Sequence, residues 1–291
     1  MSTQPPAVIH VDLDGAADIY KSHGWDFTPA DDPLFETGLR NILDLFDRNK
    51  IQATLFTIAS SLDDPRKRKL IEEALGRGHE IASHSMTHAH LIRLNRDEKR
   101  REIAGSREKL EGALGVTIGG FRAPGYLIDR ESLELLAESG YAYDASAFPT
   151  AVHARRLETS LDMLLAPHHP VAGSPLMELP LSDHRPCPVP FSPSYALLAG
   201  TRFFRWGAQR ASRRGGPFVM LFHLTDVSSP LPPGRQKNWR QTLFTLSMMT
   251  ARTKMTRCQA MLDVLRGQFE VTTTQTLLDC LRSREVVQDG R

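Results

Sequence analysis

Two rhythms of apolar residues alternate along the chain. Short runs with β-branched residues read as strands: "AVIHVDLD" (7–14), "IQATLFTI" (51–58), "HEIAS" (79–83), "TIGGFRAP" (117–124), "YAYDAS" (141–146), "PFVMLFH" (217–223) and "FEVTT" (269–273). Between them come stretches of helical pattern. Leu39, Ile42, Leu43 and Phe46 mark 33–50, followed by 64–78, 95–115, 129–140, 194–216, a long stretch from about Asn238 to Arg266, and 274–283. This strand–helix repetition predicts a parallel sheet with crossover helices in one domain over 1–291. Segment 151–193 has many prolines and little periodicity, and reads as a long excursion over the face where strands end.

Composition narrows the function classes. The chain has 291 residues, 41% hydrophobic, with a formal net charge of +2. So balanced a charge gives no support to general nucleic-acid binding. Its three cysteines, Cys187, Cys258 and Cys280, are far apart and suggest neither a disulfide framework nor a thiolate metal site. No basic region followed by an apolar core opens the sequence, so a cytoplasmic protein is expected. No apolar run approaches the ~20 residues of a membrane span. One stretch bears on peripheral contact: "TRFFRWGAQRASRR" (201–214) joins Phe203, Phe204 and Trp206 to five arginines. Such a helix could lie on an anionic membrane, or could be an outer barrel helix with a solvated charged side.

Candidate chemistry gathers at strand exits, where parallel α/β folds place function. Asp12 and Asp14 are two apart on a strand, so their carboxylates share a face, and a cation beside them relieves their repulsion. A turn-forming Asp-Gly pair would read the same way. In "EIASHSMTHAHL" (80–91), His84 and His88 have i, i+4 spacing, which on a helical turn puts both imidazoles on one side. Two such imidazoles with a carboxylate suit zinc, cobalt, nickel or iron(II), leaving open positions for water and substrate. Two hydrogen-bonded loop histidines are the plainer alternative. His90 reads as a supporting or surface residue. In "FRAPGY" (121–126), Arg122 can hold a carboxylate through a forked pair of hydrogen bonds. His223 ends an apolar strand, where burial and a nearby acid could tune it. Trp25 and Phe27 follow the first carboxylates and could line a stacking wall for substrate, or could equally cap the barrel.

In their order, Asp12–Leu13–Asp14, His84–Ser–Met–Thr–His88, Arg122–Ala–Pro–Gly–Tyr126 and Leu221–Phe–His223 resemble the motifs of the polysaccharide deacetylases, carbohydrate esterase family 4. The D-x-D form resembles a subgroup with peptidoglycan deacetylase-like and allantoinase-like members. The resemblance implies a distorted (β/α)7 barrel. It implies that Asp14, His84 and His88 bind a divalent metal, with zinc the first choice. Asp12 would be the general base oriented by Arg122, His223 the general acid, and a backbone N–H near Tyr126 would help form the oxyanion pocket. The family's usual Asp-then-Trp motif has no counterpart; "MELPLSDHR" (177–185) offers Asp183 in its place, and Asp226 could orient His223. The expected activity is hydrolysis of an N-acyl group on an amino sugar or glycan, free or lipid-linked. Hydrolysis of a cyclic amide, or glycan binding without catalysis, are the competing expectations.

Overall fold

The computed structural model describes residues 4–26, 32–184, 187–232, 234 and 236–289. Ten strands lie among the described residues: β1 (Pro6–Asp12), β2 (Thr54–Thr57), β3 (Glu80–Ser83), β4 (Gly120–Phe121), β5 (Tyr143–Asp144), β6 (Met177–Glu178), β7 (Asp183–His184), β8 (Cys187–Pro190), β9 (Phe218–His223) and β10 (Glu270–Val271). Seven of them run parallel in the spatial order β9–β1–β2–β3–β4–β5–β6. Strand β10 pairs with the first residues of β1, on the side that β2 takes further along. The sheet curls and closes through hydrogen bonds of Leu181, Ser182 and Phe191. Leu181 N–H donates to Ala147 O, Phe191 N–H to Ser182 O, and Leu221 N–H to Phe191 O. This is the distorted (β/α)7 barrel.

Eleven α-helices are described: α1 (Ala16–Ser22), α2 (Pro33–Asn49), α3 (Pro65–Gly76), α4 (Arg96–Leu114), α5 (Arg130–Glu138), α6 (Ala151–Arg156), α7 (Pro193–Ala199), α8 (Thr201–Arg214), α9 (Trp239–Phe244), α10 (Ala251–Arg266) and α11 (Thr274–Asp289). Strand alternation divides the apolar residues into two layers. Ala7, Ile9 and Val11 face the helices, packing with Leu39, Ile42 and Phe46 of α2. Val8 points into the barrel with Phe56, Ala82, Tyr143 and Leu221.

Two sequence expectations are corrected. The helical pattern 194–216 is broken at Gly200, whose φ of 95° lies in glycine's territory, so α7 and α8 are separate. The long stretch after Asn238 is likewise broken between α9 and α10, where Leu246 has φ 49°. On α8, Phe204 is buried and Phe203 stacks on His184, 4.4 Å between centroids. Of its aromatics only Trp206 is exposed, under Arg210, so α8 packs as an outer barrel helix. No helix among the described residues is long and apolar enough to cross a membrane.

Candidate metal and acid–base site

The C-terminal ends of β1, β3, β4 and β9 meet at one cavity of about 570 Å³. Asp14 sits in the turn after β1, and two acids fix that turn. Asp18 Oδ2 accepts Gly15 N–H at 3.0 Å, and Asp32 Oδ1 accepts Ala16 N–H at 3.0 Å while Lys67 holds its other oxygen at 2.9 Å. A side chain at position 15 would collide with the Asp32 carboxylate, so only glycine fits.

His84 and His88 do not share a helical turn, contrary to the reading of their spacing. They lie in a loop in which Ser85 and His88 have φ of 67° and 61°. The loop is built by side chains capturing backbone: Ser85 Oγ accepts His88 N–H at 3.0 Å, and Glu102 accepts Thr87 N–H at 2.9 Å. The two rings still converge, 5.0 Å between centroids. Asp14 Oδ1 lies 3.3 Å from His84 Nε2 and 3.4 Å from His88 Nε2, and one ligand atom from each of the three residues falls within a 4.8 Å span.

The donor set fits a cation. His84 Nδ1 lies 2.8 Å from the Arg122 carbonyl, which only accepts. Nδ1 therefore carries the proton, and Nε2 turns its lone pair to the site in the neutral ring. Asp14 Oδ1 and both His88 ring nitrogens are buried with no hydrogen-bond partner among the described residues. Such orphans are costly unless something they ligate completes them. Burial would raise the Asp14 carboxyl, yet His88 and His84 outweigh it and hold it well below the usual carboxylate range.

Asp12 is buried beside the trio, its Oδ1 accepting from Arg122 Nη1 at 2.9 Å. Its Oδ2 lies 4.0 Å from His84 Nε2 and 3.8 Å from His223 Nε2. The expected fork is not formed: Arg122 gives Asp12 one bond, because Nε is taken by Ala145 O at 2.8 Å and Nη2 by His10 at 2.7 Å. Tyr126 contributes differently than expected. Its N–H is committed to Ala123 O, and its hydroxyl instead reaches His223 Nε2 at 3.1 Å. Nor does Asp226 orient the imidazole of His223. Its Oδ2 accepts the His223 backbone N–H at 2.8 Å and its Oδ1 the Ser194 hydroxyl at 2.6 Å, so it fixes the strand end.

Trp25 and Asp183 are not among the cavity's lining residues. Trp25 stacks on His23 at 4.6 Å and backs Phe244, and these two line the wall. Phe27 lies outside the described residues. Asp183 faces a second cavity with Arg214, 3.6 Å away, although its register partner Pro190 lines the first. Asp183 opens the two-residue strand β7, whose face a motif match gives no means of choosing. Sequence reasoning missed two features. His10 shares its strand face with Asp12, which period two alone could have revealed. The apolar wall of Tyr195, Leu198, Leu243, Phe244 and Leu246 comes from α7, α9 and the break after α9, where no motif marks it.

Residues 23–143 match the family model for polysaccharide deacetylase. A chitooligosaccharide deacetylase of Sinorhizobium fredii is 26% identical over 129 residues, 44% of this chain and 56% of that protein, so the match spans about half of this curated relative. A Mycobacterium smegmatis structure provisionally assigned as a polysaccharide deacetylase superposes with a TM-score of 0.66 at 19% identity, covering 98% of this chain and 92% of that one. Puue allantoinase follows with a TM-score of 0.61 at 14% identity, covering 94% and 89%. At these identities the two structures speak to fold alone.

Proposed function

From a chain that shares the sequence signature and fold of the polysaccharide deacetylases, we propose a metal-dependent hydrolase that removes an N-acyl group, in the first instance N-acetyl, from an amino sugar or glycan. The observation that carries this reading is the convergence of Asp14 Oδ1 with two imidazoles, where Asp14 Oδ1 and both His88 nitrogens are buried and orphaned. Asp14, His84 and His88 would hold the cation, with zinc the first choice for two imidazoles and a carboxylate. When bound, a divalent ion supplies Lewis-acid polarisation of the acyl oxygen and acidifies a water.

The chain's own groups do the proton work. Asp12 is tied through Oδ1 alone, so Oδ2 is left to take a proton from the attacking water. His223, on the neighbouring strand with Nε2 3.8 Å from Asp12 Oδ2, gives a proton to the departing nitrogen, which would otherwise leave as an amide anion. The Tyr126 hydroxyl holds His223 Nε2 in place. Separating base from acid by a few ångströms on either side of the bond lets both act in one turnover.

Metal analysis of the purified protein, with a panel of N-acetylglucosamine oligomers and released amine as readout, tests the proposal. Absence of a bound divalent ion and of turnover after zinc, cobalt and nickel loading would overturn it. Soluble and lipid-carried amino sugars both fall within this reading; flotation with anionic vesicles at moderate salt would argue for the carrier.

A second reading, hydrolysis of a compact cyclic amide, is favoured by one observation. Leu198 and Phe244, 51% and 50% exposed, project at the cavity beside Tyr195, Leu243 and Leu246. Such a wall suits a small ring with an apolar face better than a long hydrated glycan. Turnover of hydantoins or imides, with silence on the sugar oligomers, would select it.

A further inference from the structure

Behind the base lies a buried histidine that the reaction scheme does not use. His10 is fully buried on β1, two residues before Asp12, and both point into the barrel. Its Nδ1 is 2.7 Å from Arg122 Nη2. A guanidinium only donates, so Nδ1 accepts, and the ring is the neutral form with its proton on Nε2. Burial, and then the charge of Arg122, hold the pKa of this ring well below its ordinary value, in keeping with that state. The Nε2 proton has an acceptor ready in Thr274 Oγ1 at 3.1 Å, at the first residue of α11. From there Thr274 meets Thr54 at 2.7 Å, and Thr54 donates to Glu80 at 2.6 Å. Because the Thr54 proton goes to Glu80, the proton between the two threonines is Thr274's. Every link therefore has one direction, from guanidinium to carboxyl, and the tautomer of His10 is fixed from both sides.

Arginine and carboxylate left to themselves prefer a two-pronged grip. A rotation of Arg122 that brought Nη2 to Asp12 would engage the oxygen that must accept the proton. Nε held by Ala145 O and the guanidinium stacked 4.1 Å over Phe56 limit the plane of the group but not which oxygens its end meets. The nitrogen that would complete the grip is the one His10 takes. We infer that His10 is a positioning residue: by occupying Arg122 Nη2 it restricts the arginine to one Asp12 oxygen and leaves the other free to act as base. This rests on the hydrolase reading above, in which Asp12 is that base.

The test uses the full metal-loaded chain and exploits two near-isosteres. An asparagine at position 10 presents its amide near the place of Nδ1, and a glutamine near the place of Nε2. His10→Gln is expected to lower kcat on the amide substrate about 10- to 100-fold, the usual scale for losing a residue that orients a site. KM and bound metal should change less than about threefold, since neither substrate nor cation touches His10. His10→Asn should recover most of kcat. A merely structural role would lower the melting temperature of both variants without separating them in kcat. Equal kcat in the two variants, whether high or low, overturns the inference. A second measurement is independent of turnover. In histidine-labelled wild-type protein, the 15N signals lost in His10→Asn should report a neutral ring protonated at Nε2; a ring protonated at Nδ1, or at both nitrogens, overturns the assignment. Wild-type silence on every amide with that tautomer intact would sink the hydrolase reading, and the role of His10 with it. Wild-type turnover with indifferent variants would sink the role of His10 alone.

Discussion

The β7–β8 hairpin stands between two cavities, and they differ in what their polar groups do. On one side Asp183 is answered by Arg214, in a cavity of about 370 Å³ lined otherwise by residues such as Leu164, Leu181, Phe218 and Phe269. On the other, Asp14 and His88 present buried atoms that nothing among the described residues answers. Both cavities contain a buried acid, so burial of an acid alone does not mark a site. What marks it is a set of ligand atoms aimed at one point and left unsatisfied.

The sharpest break of that contrast is Asp14→Ala. It should strip bound metal to background and lower amide turnover by about 10³-fold or more, the scale of losing metal assistance. Asp183→Asn should leave both measurements at wild-type values. A metal-loaded, active Asp14→Ala protein would erase the distinction between the cavities. Next in size is His223→Ala, expected to cost about 10²- to 10⁴-fold on an amide and far less on an activated ester, whose leaving group needs no proton. Equal losses on the two substrates would count against a proton-donor role.

Tyr126→Phe removes one hydrogen bond to His223 and should lower amide kcat by about three- to tenfold. Chelation should lower the melting temperature of the wild-type protein by the linkage of a ligand to its folded state, and leave Asp14→Ala unmoved. Equal shifts would place the stabilising ion elsewhere.

The smallest effect on turnover is expected at the hairpin itself, where His184 sits between Phe191 and Phe203 and its ring nitrogens find no partner among the described residues. Burial, and then Arg214, push its pKa down to about 4. The unfolded ring titrates near 6.5, so between these values the unfolded chain binds the extra proton. The stability contribution is complete above pH 6.5 and lost as pH falls toward 4, on the order of 3 kcal/mol in all. His184→Leu should flatten the acid side of the melting-temperature profile without changing kcat at pH 7. An unchanged acid limb would refute the assignment.

Legibility of the sequence followed the length of its elements. Strands β1, β2 and β9 run four to seven residues, long enough for β-branched runs to declare them. The metal-ligand candidates were legible for the same reason, since they sit where clear strands end. Strands β4 and β5, two residues each, were legible because they sit inside the longer runs 117–124 and 141–146, whereas β6, equally short, has no such run around it. Their place is set by neighbours, as when Asp144 aligns with Glu178. Beyond β6 that loss of signal left Asp183 on the wrong side of the hairpin. At α9 and α10 the helical rhythm ran straight across a break, because Leu246 in a left-handed conformation has no mark in a composition pattern. His10 was passed over because a polar residue within an apolar run reads as an accident unless the face it shares with Asp12 is noticed.

Arg122 touches the centre with both of its ends, its carbonyl on His84 Nδ1 and its guanidinium on Asp12. Any amino acid at that position brings a carbonyl, whereas no other brings the guanidinium. On the proposed reading, a single codon change there would uncouple ion capture from turnover. The result would be a barrel that still captures its ion and has lost the means to turn it on a substrate.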